Sequence, residues 1–260
     1  MKVTEWISLF VFPPRCPGCG QLLPALPTAA ARQPLPLLCE TCGNVWKAET
    51  NADCPLCVKP MHNCTCAPKI CVDNGCDTVR KLFQYRPHHT KLCTSRVIFS
   101  LKEHLTRRVT NGAAQAFLPA VDEICAERGI KPGQAVITFL PRRRAAKAAY
   151  GFDQAEKLAY AIARVSGAVC LPLLARSGSS ASKAQKQLNR QGRMKAAAAA
   201  FKPTGKQLPA GTGVILLVDD IITTGSGIAA GSAILKKQYG LPMAALVLGM
   251  TYQQGKNHGN

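Results

Sequence analysis

Cysteine placement constrains this chain more than any other feature. Ten of its 13 cysteines lie within residues 1–76, and six of these form Cys-x-x-Cys pairs: Cys16/Cys19, Cys39/Cys42 and Cys54/Cys57. A closer pair, Cys64 and Cys66, follows, and then Cys71 and Cys76. Each short turn delivers two thiolates, and four thiolates at tetrahedral positions suit zinc. The first predicted site takes Cys16, Cys19, Cys39 and Cys42. The second pairs Cys54 and Cys57 with two of Cys64, Cys66, Cys71 and Cys76, of which Cys64 and Cys66 are favoured. Thiolates also suit an iron–sulfur cluster, and His62 offers a substitute ligand. A head this small lacks a core of its own, so metal supplies much of its folding free energy.

Composition shifts near residue 77. Residues 1–76 hold six Lys/Arg against five Asp/Glu, so nearly all of the net charge of +19 falls on residues 77–260. No acidic residue occurs between positions 157 and 218. Such a field attracts polyanions: nucleic acid, polyphosphate or a phosphorylated small molecule. Apolar residues make up 47% of the chain, which excludes wholesale disorder. No uncharged apolar run reaches the ~18 residues of a membrane span. Residues 1–14, with Glu5, Trp6 and Pro13-Pro14, lack the basic start, apolar core and cleavage site of a signal peptide. The expectation is a cytoplasmic chain with no membrane partner.

Beyond residue 77, helical and strand patterns alternate. Val97, Ile98, Leu101 and Leu105 share one face of a helix predicted over 92–105. Further helices are predicted over 113–126, 152–165 (Leu158, Ile162 and Val165 on one stripe) and 227–239. Strands are predicted over 134–140, 169–174, 214–218 and 241–250, and 177–182 is a Ser/Gly loop. The 214–218 run is continuously apolar, as expected for a strand covered on both faces. The pattern argues for an α/β chain with a central, mainly parallel sheet flanked by helices. It divides into a cysteine-rich head, 1–76, and a body, 77–260.

The chemistry concentrates after the strand at 214–218. Two carboxylates, Asp219 and Asp220, lead into Thr223, Thr224, Gly225, Ser226 and Gly227, and then into a helix. Hydroxyls, glycine-exposed amides and a helix N-terminus converge there on an anion, ideally a phosphate. The carboxylates cannot face that phosphate and would accept hydrogen bonds from vicinal hydroxyls, as on a ribose. No Walker lysine is present, so this is not a P-loop NTPase.

The stretch resembles the 5-phosphoribosyl-1-diphosphate (PRPP) motif of type I phosphoribosyltransferases. That resemblance implies that Asp219 and Asp220 hold the ribose hydroxyls, while Thr223, Thr224, Gly225 and Ser226 cradle the 5-phosphate. A second block is Gly151-Phe152-Asp153-Gln154, preceded by Arg142, Arg143, Arg144 and Lys147. Further on stand Gln185, Leu188, Arg193 and Phe201, at spacings of three, five and eight. These look like the RGFNQ and Q-x2-L-x4-R-x7-F signatures of the ComF family, and the CPxC turns before Gly20 and Val58 resemble zinc-ribbon knuckles. ComF proteins pair a double zinc ribbon with a phosphoribosyltransferase domain, so the resemblance spans nearly the whole chain. The sequence departs from the family's pattern at Tyr150 (usually Arg), Asp153 (usually Asn), Ala196 (commonly Asn) and Gly227 (usually Thr).

The resemblance implies two structural zinc ions and PRPP bound with Mg2+. It also implies phosphoribosyl transfer, or a role in DNA uptake during natural transformation. Arg142, Arg143, Arg144 and Lys147 follow a strand end and are candidates for the diphosphate, with Gln154 at the same mouth. The segment 176–193 is placed to close over a substrate. A non-catalytic alternative is a single-stranded DNA-binding module, with Phe83, Tyr85 and Phe99 as the few available stacking platforms. Another is a scaffold that docks a helicase-like competence protein through the head.

Overall fold

The computed structural model describes residues 13, 15–23, 38–87, 89, 92–103, 107–177 and 199–252. The head contributes helix α1 (Glu40–Thr50) and a single turn α2 (Lys69–Val72). Strand β1 (Thr78–Gln84) then opens the body, followed by α3 (Cys93–Glu103), α4 (Arg107–Gln115) and α5 (Leu118–Glu127). Next come β2 (Ala135–Phe139), α6 (Arg144–Tyr150), α7 (Gln154–Ser166) and β3 (Val169–Cys170). An antiparallel pair, β4 (Leu174–Arg176) and β5 (Phe201–Pro203), precedes β6 (Val214–Ile222), α8 (Ser226–Tyr239) and β7 (Met243–Met250).

Five strands form one sheet in the order β1-β7-β6-β2-β3, and every pairing is parallel. Alternating side chains feed two cores. Val214, Leu216 and Val218 pack with residues of α3, α4, α5 and α7 on one face. Ile215 and Leu217 pack with residues of α2, α8 and the β4–β5 pair on the other. Both faces are therefore covered, which explains why residues 214–218 of β6 and the whole of β7 read as unbroken apolar runs. Gly231 lets α8 sit close to the sheet: a Cβ there would come within 2.7 Å of Leu140 Cδ2. Among the described residues, no helix is long and apolar enough to cross a membrane.

Several expectations shift in detail. The helix expected over 113–126 is two helices, because Pro119 lies in the first turn of α5, where its missing N–H is tolerated. The strand predicted over 214–218 runs on through both carboxylates to Ile222, because its ladder with β7 continues to Ile222↔Met250. The short strand predicted over 169–174 is split between β3 and β4. Phe83 is fully buried and meets Trp46 edge-on at 5.5 Å, whereas Phe99 is 38% exposed.

Strand β1 carries no apolar signature because two buried cations interrupt it. Arg80 donates to Glu123 Oε2 at 2.6 Å, and the Lys81 ammonium donates to the Cys66 carbonyl at 2.7 Å. Residues 63–66 of the head run along the outer edge of this strand, where the Val79 amide donates to the Thr65 carbonyl at 3.2 Å. The head thereby covers an edge that would otherwise expose unpaired backbone groups. Cys16, Cys42 and Trp46 also join the core cluster of α3, α4 and α7.

Candidate functional site

The strand order locates the site. From β2 the chain passes through α6 and α7 to β3 on one side. From β6 it passes through α8 to β7 on the other. Connections that leave two adjacent parallel strands in opposite directions open a crevice at their carboxyl ends, where open α/β sheets bind ligands. Here β2 and β6 are those strands, in register up to Phe139↔Val218. The loop carrying Arg142 and Arg143 therefore faces Asp219, Asp220 and the turn beyond them.

Each carboxylate folds onto the next amide: Asp219 Oδ1 accepts from Asp220 N at 2.9 Å, and Asp220 Oδ1 from Ile221 N at 2.7 Å. Asp220 also lines a small recess with Ile98, Leu101, Gln154, Leu158 and Leu248. Burial, and then the charge of Asp220, hold the Asp219 carboxyl well above its ordinary 3.8. Two carboxylates this close favour a bound cation or hydroxyl donors between them. The folded protein binds this proton more tightly than the unfolded chain does. The stabilisation is therefore complete below about pH 4 and is lost as pH rises through the raised value. Melting temperature should fall with rising pH more steeply in the wild type than in Asp219→Asn; superimposable curves would refute this environment.

The turn after β6 gathers hydroxyls at a helix start. Thr223 and Thr224 are exposed, Thr224 Oγ1 lies 3.0 Å from Ser226 Oγ, and α8 starts directly behind them. Gly225, at φ +79°, turns the chain into the helix. A Cβ on Gly227 would meet only the end of the Leu140 side chain, Cδ1 at 3.2 Å, just past the end of β2. Thr251, a residue that carries no sequence signal, straps the turn: its Oγ1 donates to the Thr223 carbonyl at 3.0 Å.

The facing loop is held by Asp153, which accepts from the Arg142 amide at 2.6 Å and caps α7 by accepting from Glu156 N at 3.4 Å. A carboxylate at this position thus has two backbone partners. Gln154 is buried behind it. Lys147 pairs with Glu156 at 3.0 Å, which raises its pKa. Arg144 and Tyr150 bound α6, and their side chains lie outside the described residues, as do Gln185, Leu188, Arg193 and Ala196.

One cation was missed by sequence reasoning. Arg176 donates through Nε to the Pro141 carbonyl at 2.8 Å and lies 4.5 Å over the Phe201 ring. The bond to Pro141 sets the guanidinium beside the loop that carries Arg142 and Arg143; burial and then Arg143 lower its pKa, while Asp219 and Asp153 raise it. Only the pairing of β4 with β5 brings it there.

The head gathers its cysteines as two tetrads: Cys16, Cys19, Cys39 and Cys42, and Cys54, Cys57, Cys64 and Cys66. Within each, all four sulfurs lie within 4.8 Å of one another. Four sulfurs bound to one zinc at 2.3 Å stand about 3.8 Å apart. Cys19 and Cys39 are 3.6 Å apart and Cys57 and Cys64 3.4 Å, so both tetrads fit a zinc ion. The amides of Cys39 and Cys66 donate to Cys16 Sγ and Cys64 Sγ, which supports thiolate character. Crowding works the other way: burial, and then Cys57 and Cys64, push the Cys66 thiol up to about 12. Coordination to a divalent cation reverses that balance. At Cys54, burial is outweighed by hydrogen bonds from the Tyr252 hydroxyl and the Leu56 amide, which bring the thiol down to about 6.

Cys71 and Cys76 belong to neither tetrad. Their sulfurs face the carbonyls of Gly225 and Thr78. His62 Nδ1 lies 2.9 Å from the Thr50 carbonyl, and His62 belongs to neither tetrad. No family model and no curated protein matches the chain.

Proposed function

We propose that this chain binds PRPP with Mg2+ in the crevice between β2 and β6 and acts as a ComF-like phosphoribosyltransferase. On this reading the body, 77–260, has the type I phosphoribosyltransferase fold, and the head, 1–76, is a double zinc ribbon. The observation that carries the proposal is the topological crevice. It sets a carboxylate pair and a Thr-Thr-Gly-Ser turn on one side, and Arg142, Arg143 and Arg176 on the other.

The residues divide the work by charge. Thr223, Thr224 and Ser226 offer hydroxyls to the 5-phosphate at the N-terminus of α8. Asp219 and Asp220 accept from the two ribose hydroxyls. An acceptor's nucleophilic atom then forms a bond to C1 as the C1–O bond to diphosphate breaks. Positive charge grows on the ring beside the carboxylates, and negative charge grows on the leaving group beside the guanidinium groups. A bound Mg2+ would neutralise part of the diphosphate charge.

Calorimetry tests the reading. Wild-type protein should bind PRPP·Mg2+ with Kd on the order of 1 μM, about 8 kcal/mol. The Asp219→Asn/Asp220→Asn double variant should lose roughly 100-fold or more in affinity while remaining folded. No binding by the wild type, or equal binding by both proteins, would overturn the proposal and redirect attention to polyanion partners of the basic body.

A further inference from the structure

We propose that metal bound by the second cysteine tetrad and anion bound by the 223–226 turn are energetically coupled, through residues 68–71 on one side and 251–252 on the other. The inference rests on the phosphate-binding reading of that turn and adds to it control by the metal of the head.

The first link is a floor. Cys66 is the last sulfur of the tetrad, and two residues later the chain reaches Pro68. Pro68, Ile70 and Cys71 then lie directly under Gly225. A Cβ on Gly225 would stand 2.9 Å from Cys71 Sγ, 3.0 Å from Ile70 Cγ2 and 3.3 Å from Pro68 Cβ. The fully buried Cys71 thiol also donates to the Gly225 carbonyl at 3.5 Å. The turn thus rests on a segment anchored by a metal ligand.

The second link is a strap. Tyr252 places its hydroxyl 3.3 Å from Cys54 Sγ and 3.6 Å from Met61 Sδ, inside the small core of the second tetrad. Its neighbour Thr251 holds the turn through Thr223 O at 3.0 Å, and its amide donates to Ile222 O at 2.9 Å. Two adjacent residues therefore grip the tetrad and the anion-binding turn.

Coordination fixes the sulfurs of Cys54 and Cys66 relative to one another. Without it, crowded sulfurs are free to separate, and the floor and the strap shift with them. Packed interiors pass such displacements on, because their elements have few alternative arrangements. Linkage also makes the effect reciprocal: anion in the turn must tighten metal binding by the same factor that metal tightens anion binding.

Hydrogen exchange on the full zinc-loaded chain tests the coupling. Removing the second metal with a chelator should speed exchange of the 223–227 amides roughly fivefold or more, while the interior strand β7 stays protected. In parallel, saturating PRPP·Mg2+ should tighten zinc binding at that tetrad by a similar factor in chelator competition. Tyr252→Phe separates coupling from unfolding, since it keeps all four thiols. It should retain both zinc ions and still exchange faster at 223–227. Unchanged exchange there after loss of the second metal, or in Tyr252→Phe, overturns the coupling. If the zinc-loaded wild type fails to bind PRPP, the phosphate reading fails, and the exchange data still judge the mechanical link.

Discussion

Replacing Gly225 with alanine is expected to cost about 2–5 kcal/mol of stability and to displace the turn that carries the candidate phosphate contacts. Two effects add. A non-glycine residue at φ +79° adopts the left-handed region, at about 1–2 kcal/mol. The new methyl then meets Cys71 Sγ at 2.9 Å and Ile70 Cγ2 at 3.0 Å, and both residues are buried and have little room to yield. Overpacking of that kind costs about 1–3 kcal/mol. In a chain of this size the melting temperature should fall by roughly 10 °C, and PRPP affinity should drop with it. Gly227→Ala is the control. Its methyl would meet only the end of the Leu140 side chain at 3.2 Å, and alanine favours the helix by up to about 1 kcal/mol. It should be close to neutral. A Gly225→Ala protein as stable as Gly227→Ala would contradict this account of the turn.

Metal content per chain gives the other large effect. Cys42→Ser should reduce bound zinc from two ions to one, and Cys66→Ser should do the same at the other tetrad. Structural zinc contributes on the order of 10 kcal/mol to the folding of small zinc domains, so losing a site should melt the local fold. Cys42 and Trp46 also sit in the body's core, so Cys42→Ser should lower the melting point of the whole chain as well. Cys71→Ala is the discriminating variant. Cys71 is fully buried and faces Gly225, so its loss should destabilise the protein while leaving two zinc ions bound. A Cys71→Ala protein with one zinc would show that the second site is drawn from different sulfurs. Zinc released to a chromophoric chelator under denaturing conditions measures each case.

The features that could be read from the chain are those carried by neighbours in sequence. A Cys-x-x-Cys pair places two sulfurs by one turn of backbone, so the first tetrad was readable as a ligand set, whereas the second left Cys64, Cys66, Cys71 and Cys76 as alternatives until the fold grouped the first two of these with Cys54 and Cys57. The apolar run 214–218, two carboxylates and a Thr-Thr-Gly-Ser turn likewise predict a strand, a candidate site and a helix start from local propensity. Strand β1 was hidden, because Arg80 and Lys81 look like solvent-facing residues until Glu123 and the Cys66 carbonyl, far away in the chain, supply partners. The break between α4 and α5 was present in Pro119, but the helical spacing on either side concealed it.

The sequence by itself determined which residue types could bind metal and anion. Tertiary structure decided what surrounds them. Arg176 reaches the crevice only through the β4–β5 pairing, Thr251 reaches the turn only because β7 ends beside β6, and Cys71 leaves the metal set to become packing under Gly225. Local spacing is set by covalent geometry and survives any change of surroundings. Contacts between distant segments exist only once burial of apolar surface has brought those segments together.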